Sequence, residues 1–333
     1  MLDRAQFPRD KVCAGWITPA VLSTLEITPQ TYARNCVLQP ITGFRTALIE
    51  GPVIENHYGE TVSYGIRRFE FDHYLLQRSG AKQMLGSAVE SIEDKNGYWL
   101  INGEIKTPLL IGAGGHACPV ARHLGASLGH SVPVVTAREA ELVLESAVDG
   151  KVPELYFCRD LKGYGWCFRK GEYLNIGMGR ENGSGLKQHL GDFVDHLVRE
   201  RRIAAPPRHF KGHAYLLYGR GHRRSVDEGI MLVGDALGLA YPRSGEGIRP
   251  AVESALMAAQ TVIEAKGDYR AAKLQAYEQR LLARFGNPSG RDLLPPLLLK
   301  PLATALFRSR ALTRRLLIER WFLHRDQAPL TAV

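Results

Sequence analysis

The chain has 333 residues, of which 45% are hydrophobic and 23% are charged, and its formal net charge is +9. This composition is typical of a globular protein with a sizeable core, and without a run of about 18 apolar residues we expect no transmembrane helix. The five cysteines form no close pair. They favour reduced thiols in a cytoplasmic protein over a disulfide scaffold or a metal site, so we expect no metal.

Short strands are predicted in the first half of the chain, at Val89 to Ile92, Tyr98 to Ile101 and Leu109 to Ile111. Asn96-Gly97 and Asn102-Gly103 are typical of the turns between them. An aromatic segment, Tyr156 to Gly179, follows in the second half. It contains Tyr164, Trp166 and Phe168.

The most informative segment runs from Ile230 to Ile248. Its first aliphatic residues predict a buried strand, and Gly234 lets the backbone turn where a side chain would obstruct a ligand. Asp235 is then expected at the carboxyl end of the strand, where a carboxylate accepts hydrogen bonds from polyol hydroxyls.

After Pro242, the glycine pair Gly245 and Gly247 permits close backbone approach to a flat ring. From Ile248 onward, apolar residues recur at helical spacing, which aims a helix N-terminus at that ring. The amides and dipole there stabilise negative charge on the ring, so the segment indicates a flavin site.

The segment contains a strand, a Gly-Asp turn, a glycine pair and a helix in this order. It thereby resembles the second FAD signature of the geranylgeranyl reductase family, within the flavoproteins built like p-hydroxybenzoate hydroxylase. Its motifs extend over about thirty residues, so it is more specific than a lone Gly-Asp pair. An ordinary strand, turn and helix of a Rossmann-like core is the alternative. The resemblance implies NAD(P)H as the electron donor and FAD as the cofactor, held by Gly234, Asp235, Pro242, Gly245, Gly247 and Ile248.

The N-terminal segment resembles the part of the family that follows the second strand of the nucleotide-binding unit. Asp3, with its neighbour Arg4, matches the acidic residue that holds the adenosine ribose. No G-x-G-x-x-G turn precedes it, so we expect the chain as written to bind FAD poorly. A gene model begun at an internal methionine and a chain that has lost dinucleotide binding both explain this, and we favour the first.

Other residues match family positions beside the flavin. Cys13 matches a cysteine of archaeal reductases, which implies that this thiol or Tyr164 delivers the proton that completes alkene reduction. An inert buried thiol is the alternative. Arg68 matches the arginine of the R-x-x-F-D-x-x-L helix start, and a solvated arginine with a capping Asp72 is the alternative. Gly114 departs from the family, which has an aspartate there for FAD and NAD(P)H binding.

Tyr164, Trp166 and Phe168 match a signature of the reductases whose aromatic residues line the isoprenoid cavity. Large rigid apolar surfaces suit a polyprenyl chain. A strand pair that packs these aromatic residues into an ordinary core is the alternative.

The resemblance implies an α/β fold in which a Rossmann-like FAD/NAD(P)-binding domain, incomplete at its N-terminus, is interleaved with an antiparallel-sheet substrate domain and followed by C-terminal helices. The predicted limits are 1–38, 62–125 and 223–265 for the FAD-binding domain, 39–61 and 126–222 for the substrate domain, and 266–333 for the helical region.

The C-terminal part, residues 301–333, contains six arginines against Glu319 and Asp326, and its apolar residues have helical spacing. Basic amphipathic helices of this kind suit peripheral contact with anionic lipid at the inner face of a membrane. Solvated helices that close the domain are the alternative, which we favour. Nucleic acid is not expected, because no binding motif accompanies the charge.

Three functions follow from this pattern. The first is FAD-dependent reduction of carbon–carbon double bonds of an isoprenoid, which the aromatic segment favours. The second is a flavin-dependent monooxygenase of an aromatic or polyketide substrate. The third is a truncated, non-catalytic homologue, which the missing glycine-rich turn keeps open. Halogenation is not expected, because the chain has no W-x-W-x-I-P segment.

Overall fold

A computed structural model of the chain describes residues 1–126, 134–144, 148–221, 223–287 and 304–330. Its strands are, in chain order, β1 Leu2–Asp3, β2 Trp16–Ile17, β3 Leu38–Ile41, β4 Gly43–Leu48, β5 Ile54–His57, β6 Ser63–Ile66, β7 Met84–Leu85, β8 Ile92–Asp94, β9 Trp99–Ile101, β10 Ile105–Thr107, β11 Leu110–Gly112, β12 Val135–Val143, β13 Glu154–Phe157, β14 Gly163–Lys170, β15 Tyr173–Glu181, β16 Lys211–Tyr215, β17 Val226–Asp227 and β18 Ile230–Leu232. Its helices include α1 Pro19–Thr24, α2 Pro29–Tyr32, α3 Arg68–Arg78, α4 Pro119–His123, α5 Leu186–Arg199, α6 Ile248–Ala265 and α7 Ala271–Phe285.

The largest sheet has seven strands in the order β16-β12-β15-β14-β13-β4-β5. All neighbours are antiparallel except β13 and β4, which run parallel. One face is covered by α5, whose Leu190, Phe193 and Leu197 are buried against the sheet. The α/β class is confirmed, whereas the predicted domain limits stay a prediction.

Parallel strand pairs form the second part of the fold. β1 pairs with β7, and β11 pairs with β18. Within the described ranges, β1 and β11 are each hydrogen-bonded to a strand on one side only. Ile111 of β11 is accordingly 44% exposed. The carboxyl ends of β11 and β18 lie side by side, which brings their following loops together.

The predicted strands need small corrections. The first begins at Ile92 rather than Val89, because the amides of Glu90 and Ser91 donate to the Asn102 side chain instead of to a neighbouring strand. The third begins at Leu110. Asn96 and Asn102, both at positive φ, occupy the predicted turns.

The C-terminal segment is used for packing. A π-helix, Thr313–Phe322, buries Leu317, Ile318 and Phe322 against the large sheet. The interpretation as a helix that closes the fold therefore suits the described part of this segment. The portion of the predicted C-terminal helices on residues 288–303 and 331–333 lies outside the described residues.

Candidate functional site

The site begins at the end of β18. The amide of Val233 donates to the Gly112 carbonyl of the parallel neighbour β11 at 3.0 Å. Gly234 follows with φ of 57°, and its amide donates to Ser254 Oγ on α6 at 3.0 Å. This turn leaves Asp235 at the carboxyl end of the strand, as the sequence predicts.

Asp235 is surrounded by positively charged and basic groups from distant parts of the chain. His213 Nε2, on β16, lies 4.0 Å from Asp235 Oδ2 and has no hydrogen-bond partner in the described structure. Burial alone raises the pKa of the carboxyl, but His213, Lys11 and Arg68 together hold it below its usual value. The sequence analysis did not identify His213, because nothing local distinguishes an isolated histidine on a strand.

The loop after Pro242 is shaped by two glycines. Gly245 has φ of 70°, and a Cβ there would lie 2.4 Å from the Tyr215 hydroxyl oxygen. A Cβ on Gly247 would lie 3.1 Å from Asp235 Oδ1. A side chain on residue 245 would therefore strike Tyr215, and one on residue 247 would press on the Asp235 carboxylate. Helix α6 starts at Ile248, immediately after this turn, as predicted.

The buried face of α6 differs from the predicted one. Arg249, Glu253 and Met257 are buried, whereas Ala255 and Ala259 of the predicted apolar face are exposed. The polar members of this face are tolerated because Arg249 Nε donates to Glu253 Oε1 at 2.8 Å.

Arg68 does not project into solvent. Its guanidinium donates twice to Asp72, at 2.6 and 2.8 Å, and its side chain is 14% exposed. Asp72 does not cap the helix, since α3 begins at Arg68 with Arg67 at its N-cap. Cys13 lies next to Arg68 and contributes to a pKa of Arg68 above its usual value.

Lys11 joins Arg68 and Cys13 in this cluster. Repulsion by Arg68 and burial lower the pKa of Lys11, although Asp235 opposes them. Lys11 and Arg68, whose charges repel each other, therefore lie close to Asp235. Burial and His213 lower the pKa of His116 in the same region. An anionic ligand beside Lys11 and Arg68 would relieve their repulsion.

Arg223 links the two loops at the ends of β11 and β18. Its guanidinium donates to the carbonyls of His116 and Ala236, both at 2.8 Å. In the loop after β11, Gly114 replaces the expected aspartate. A Cβ on Gly114 would be 3.2 Å from the Cys118 backbone, so the space for a larger side chain is already filled.

Asp3 and Arg4 lie apart from this cluster in the described structure. Asp3 Oδ1 accepts a hydrogen bond from the Ala5 amide at 2.8 Å, and Arg4 is exposed. Neither forms a hydrogen bond or ion pair with the Asp235 cluster within the described ranges. Their role in holding an adenosine ribose stays a prediction.

The three residues of the predicted aromatic wall lie on β14, and their role in lining an isoprenoid cavity stays a prediction. Tyr164, Trp166 and Phe168 alternate along the strand and share one face with the C-terminal Phe322. The ring centroids of Tyr164 and Phe322 are 5.5 Å apart. Trp166 Nε1 donates to Asn175 Oδ1 at 2.6 Å, which satisfies its buried polar atom. The sequence analysis missed the contribution of Phe322 to this wall.

The aromatic wall and the glycine turn meet at Tyr164. Its hydroxyl donates to the Ser244 carbonyl at 2.5 Å. Burial, with Cys13 and Glu246 nearby, raises the pKa of Tyr164, so the phenol stays protonated. Burial also raises the pKa of Glu246 to about 7. The structure thus brings Cys13, Arg68, Tyr164, Asp235 and Gly245 into one region.

These residues fit FAD. The two glycines leave backbone open beside a carboxylate that can accept hydroxyl hydrogen bonds, and Lys11 and Arg68 supply positive charge for phosphates or an anionic ring. The start of α6 adds the positive end of an 18-residue helix.

Curated relatives of this chain include named reductases. No family model matches the chain. It is 28% identical over 268 residues to digeranylgeranylglycerophospholipid reductase of Methanocaldococcus jannaschii, covering 73% of this chain and 68% of the relative. It is 27% identical over 312 residues to the protein of the same name from Methanothrix thermoacetophila, covering 84% of this chain and 75% of the relative.

Solved structures share the fold. A geranylgeranyl bacteriochlorophyll reductase-like protein of Thermoplasma acidophilum matches with a TM-score of 0.78 and 21% identity, over 98% of this chain and 91% of that one. The halogenase PltM, in complex with phloroglucinol and FAD, matches with a TM-score of 0.66 and 16% identity, over 85% and 68% of the two chains. The named relatives and the shared flavoprotein fold support an FAD-dependent oxidoreductase of the geranylgeranyl reductase type.

Proposed function

We propose that this chain reduces carbon–carbon double bonds of an isoprenoid, with FAD as cofactor and NAD(P)H as electron donor. The hydrogen bond from Tyr164 to Ser244 carries the proposal, because it joins the aromatic wall directly to the glycine turn of the FAD site. The relatives named as digeranylgeranylglycerophospholipid reductases support an isoprenoid lipid as substrate. When bound, FAD supplies the hydride for such a reduction.

Each group of residues has a distinct role in this proposal. Asp235, Pro242 and the segment from Gly245 to Ile248 hold the flavin, and Arg68 contributes positive charge beside it. Tyr164, Trp166 and Phe168 shape the apolar site. A reduced double bond gains one hydride and one proton, and the Cys13 thiol and the Tyr164 phenol are the proton donors that lie in this region.

Membrane contact is the second part of the proposal. Within the described ranges, no helix is both long and apolar enough to cross a bilayer. The six arginines of the C-terminal segment are all exposed. We propose that they place the protein peripherally on anionic lipid, which would bring the site to a lipid substrate.

The deciding experiment follows the flavin absorption of the purified protein. Because the chain as written is expected to bind FAD poorly, FAD is added in excess, and we expect the bound FAD to be reduced anaerobically by NAD(P)H and reoxidised by a digeranylgeranylglycerophospholipid without oxygen. Reoxidation by oxygen alone, with hydroxylated product, would identify a monooxygenase instead. A protein that binds no FAD even when FAD is added in excess would overturn the proposal and favour a non-catalytic homologue.

Asp235→Asn tests the cofactor site separately. The variant removes the carboxylate that would accept hydroxyl hydrogen bonds from the cofactor, so we expect FAD to bind roughly 10- to 100-fold more weakly, since hydrogen bonds to charged groups contribute about 1.5–3 kcal/mol. Asp227→Asn, at the end of β17, is the matched control. Fluorescence titration with FAD measures both, and equal affinities for the two variants would remove Asp235 from the site.

A further inference from the structure

A cleft of about 550 Å³ opens beside Cys13. Its walls come from the Cys13 loop, the start of α3, and strands β12 and β14. Glu139 and Glu141, two residues apart on β12, both line it, together with Lys170 of β14. The cleft therefore contains two carboxyl groups and a buried ammonium, and it is also lined by Cys13, which is proposed to donate a proton.

The ammonium is paired with Glu141. Lys170, 1% exposed, lies with Nζ 3.1 Å from Glu141 Oε2. Glu141 Oε1 accepts a second charged hydrogen bond from Arg67 Nε at 2.8 Å. Burial alone raises the pKa of Glu141, but Lys170 and Arg67 outweigh it and the pKa is lowered. Glu141 is therefore the ionised member of the pair.

Glu139 is in a different environment. It is 7% exposed, and its Oε1 accepts a hydrogen bond from the backbone amide of Cys13 at 2.8 Å. Its Oε2 is buried and has no partner within the described structure. Burial raises the pKa of Glu139, although Lys170 opposes the effect. When the pKa values of two neighbouring carboxyl groups are driven apart, one group can serve as an ion-pair partner and the other as a proton carrier.

The other groups that face Glu139 leave this assignment intact. Asn175 of β15 lies beside it as a neutral group and lowers the pKa of Glu139. Lys211 of β16 lies opposite it in the sheet register, but the Lys211 ammonium pairs with Asp10. Arg68 forms an ion pair with Asp72. Lys170 is thus the main cation acting on Glu139, and it is shared with Glu141.

We propose that Glu139 is the residue that resupplies Cys13 with its proton. The inference rests on the proposed function. When a double bond is reduced, a hydride adds to one carbon and the electron pair of the π bond is left on the other carbon. The S–H bond of Cys13 then breaks as a C–H bond forms at the other carbon. The O–H bond of Glu139 breaks next as the S–H bond forms again, and water in the cleft returns a proton to the carboxylate.

The first test needs no substrate. In infrared spectra recorded against pH, we expect a C=O band of a neutral carboxylic acid that Glu139→Gln removes and Glu141→Gln retains, alongside a second such band from Glu246. The amide oxygen of glutamine still accepts the Cys13 hydrogen bond, so the loop geometry is kept. An unchanged infrared spectrum in Glu139→Gln overturns the proposal.

The second test separates the first turnover from later ones. In the proposal Cys13 gives its own proton in the first turnover, so Glu139→Gln should keep the rate of the first reoxidation by a digeranylgeranylglycerophospholipid. Later turnovers should slow by roughly 100-fold, the lower end of the effect of a positioned proton donor, and Glu139→Asp should restore part of the rate. Equal slowing of every turnover indicates a structural role and overturns the proposal. If the wild type does not react, the proposed function fails, while the infrared result still judges Glu139.

Discussion

Gly245 and Gly267 both have positive φ, 70° and 90°, but differ in what surrounds them. A Cβ on Gly267 would meet nothing within 4 Å, whereas one on Gly245 would lie 2.4 Å from the Tyr215 hydroxyl oxygen. Gly267→Ala should therefore destabilise the protein only by the cost of placing alanine in the left-handed backbone region, about 1–2 kcal/mol. Gly245→Ala should destabilise the protein more and also weaken FAD binding. Chemical denaturation and FAD titration measure the two effects.

Tyr215→Phe is the control for the Gly245 prediction. It removes the oxygen that a new Cβ would strike, while the ring carbons stay at 3.2 and 3.3 Å, where a small shift suffices. The double variant should recover part of the stability and affinity lost in Gly245→Ala. If Tyr215→Phe gives no recovery, then the clash is not the cause and backbone strain alone accounts for the loss.

His324 makes stability depend on pH. It is 7% exposed and stacks on Tyr241 at 3.8 Å between ring centroids. Burial, with Arg249 nearby, lowers the pKa of His324 to about 4. The unfolded chain takes up a proton below about pH 6.5, while the folded chain does not until about pH 4. Stability should therefore fall by about 3 kcal/mol across this window as pH decreases.

The variant His324→Gln isolates this contribution. Its free energy of unfolding should lose the slope that His324 imposes between pH 6.5 and 4. His57→Gln is the control, because His57 is 53% exposed and its removal should leave the slope in place. Denaturant titrations at several pH values provide the measurement. Parallel pH profiles for wild type and His324→Gln would contradict the assignment.

At the scale of elements, a buried ion cluster joins α6, α7 and the C-terminal segment. Glu253 of α6 is 1% exposed and accepts hydrogen bonds from Arg249 and from Arg284 of α7. The same two arginines donate to the Ala328 carbonyl, at 3.1 and 2.7 Å. One carboxylate thus aligns both guanidinium groups that hold the C-terminal segment.

Glu253→Ala should destabilise the protein by about 3–5 kcal/mol, because it leaves buried guanidinium charge without a partner. Glu278→Ala, on the exposed face of α7, should change stability by less than about 0.5 kcal/mol. Thermal or chemical unfolding distinguishes them. Similar losses of stability in the two variants would mean that solvent already compensates the charges of the two arginines.

The elements that sequence could predict are those whose signal is local. The β18 strand, the Gly234 turn and the start of α6 follow from aliphatic, glycine and helical patterns within twenty residues. The partners of these elements could not be predicted. Glu139 meets the Cys13 amide from 126 residues away, and His213 reaches Asp235 from another sheet. The face of α6 was missed because buried Arg249 and Glu253 satisfy each other, which hydrophobic periodicity does not register.

At the scale of the whole molecule, the apolar residues of the C-terminal segment pack on the large sheet, whereas its arginines face solvent. Leu317, Ile318 and Phe322, at most 3% exposed, cover the aromatic face of the large sheet. The arginines of the same segment remain exposed and contribute to the net charge of +9. Apolar insertion into a bilayer would require the helix to leave the sheet. Membrane contact, as proposed, is therefore electrostatic.

The protein should accordingly bind vesicles that contain phosphatidylserine at low salt and dissociate at about 0.5 M salt, where screening removes contacts between exposed charges. Neutral phosphatidylcholine vesicles should not bind it. Replacing Arg310, Arg315 and Arg320 with Gln should weaken binding by up to about 1 kcal/mol for each arginine. The matched control replaces Arg159, Arg224 and Arg270, which are also exposed but lie outside the segment. Cosedimentation measures all of these, and salt-resistant binding to neutral vesicles would show that the apolar face does leave the sheet.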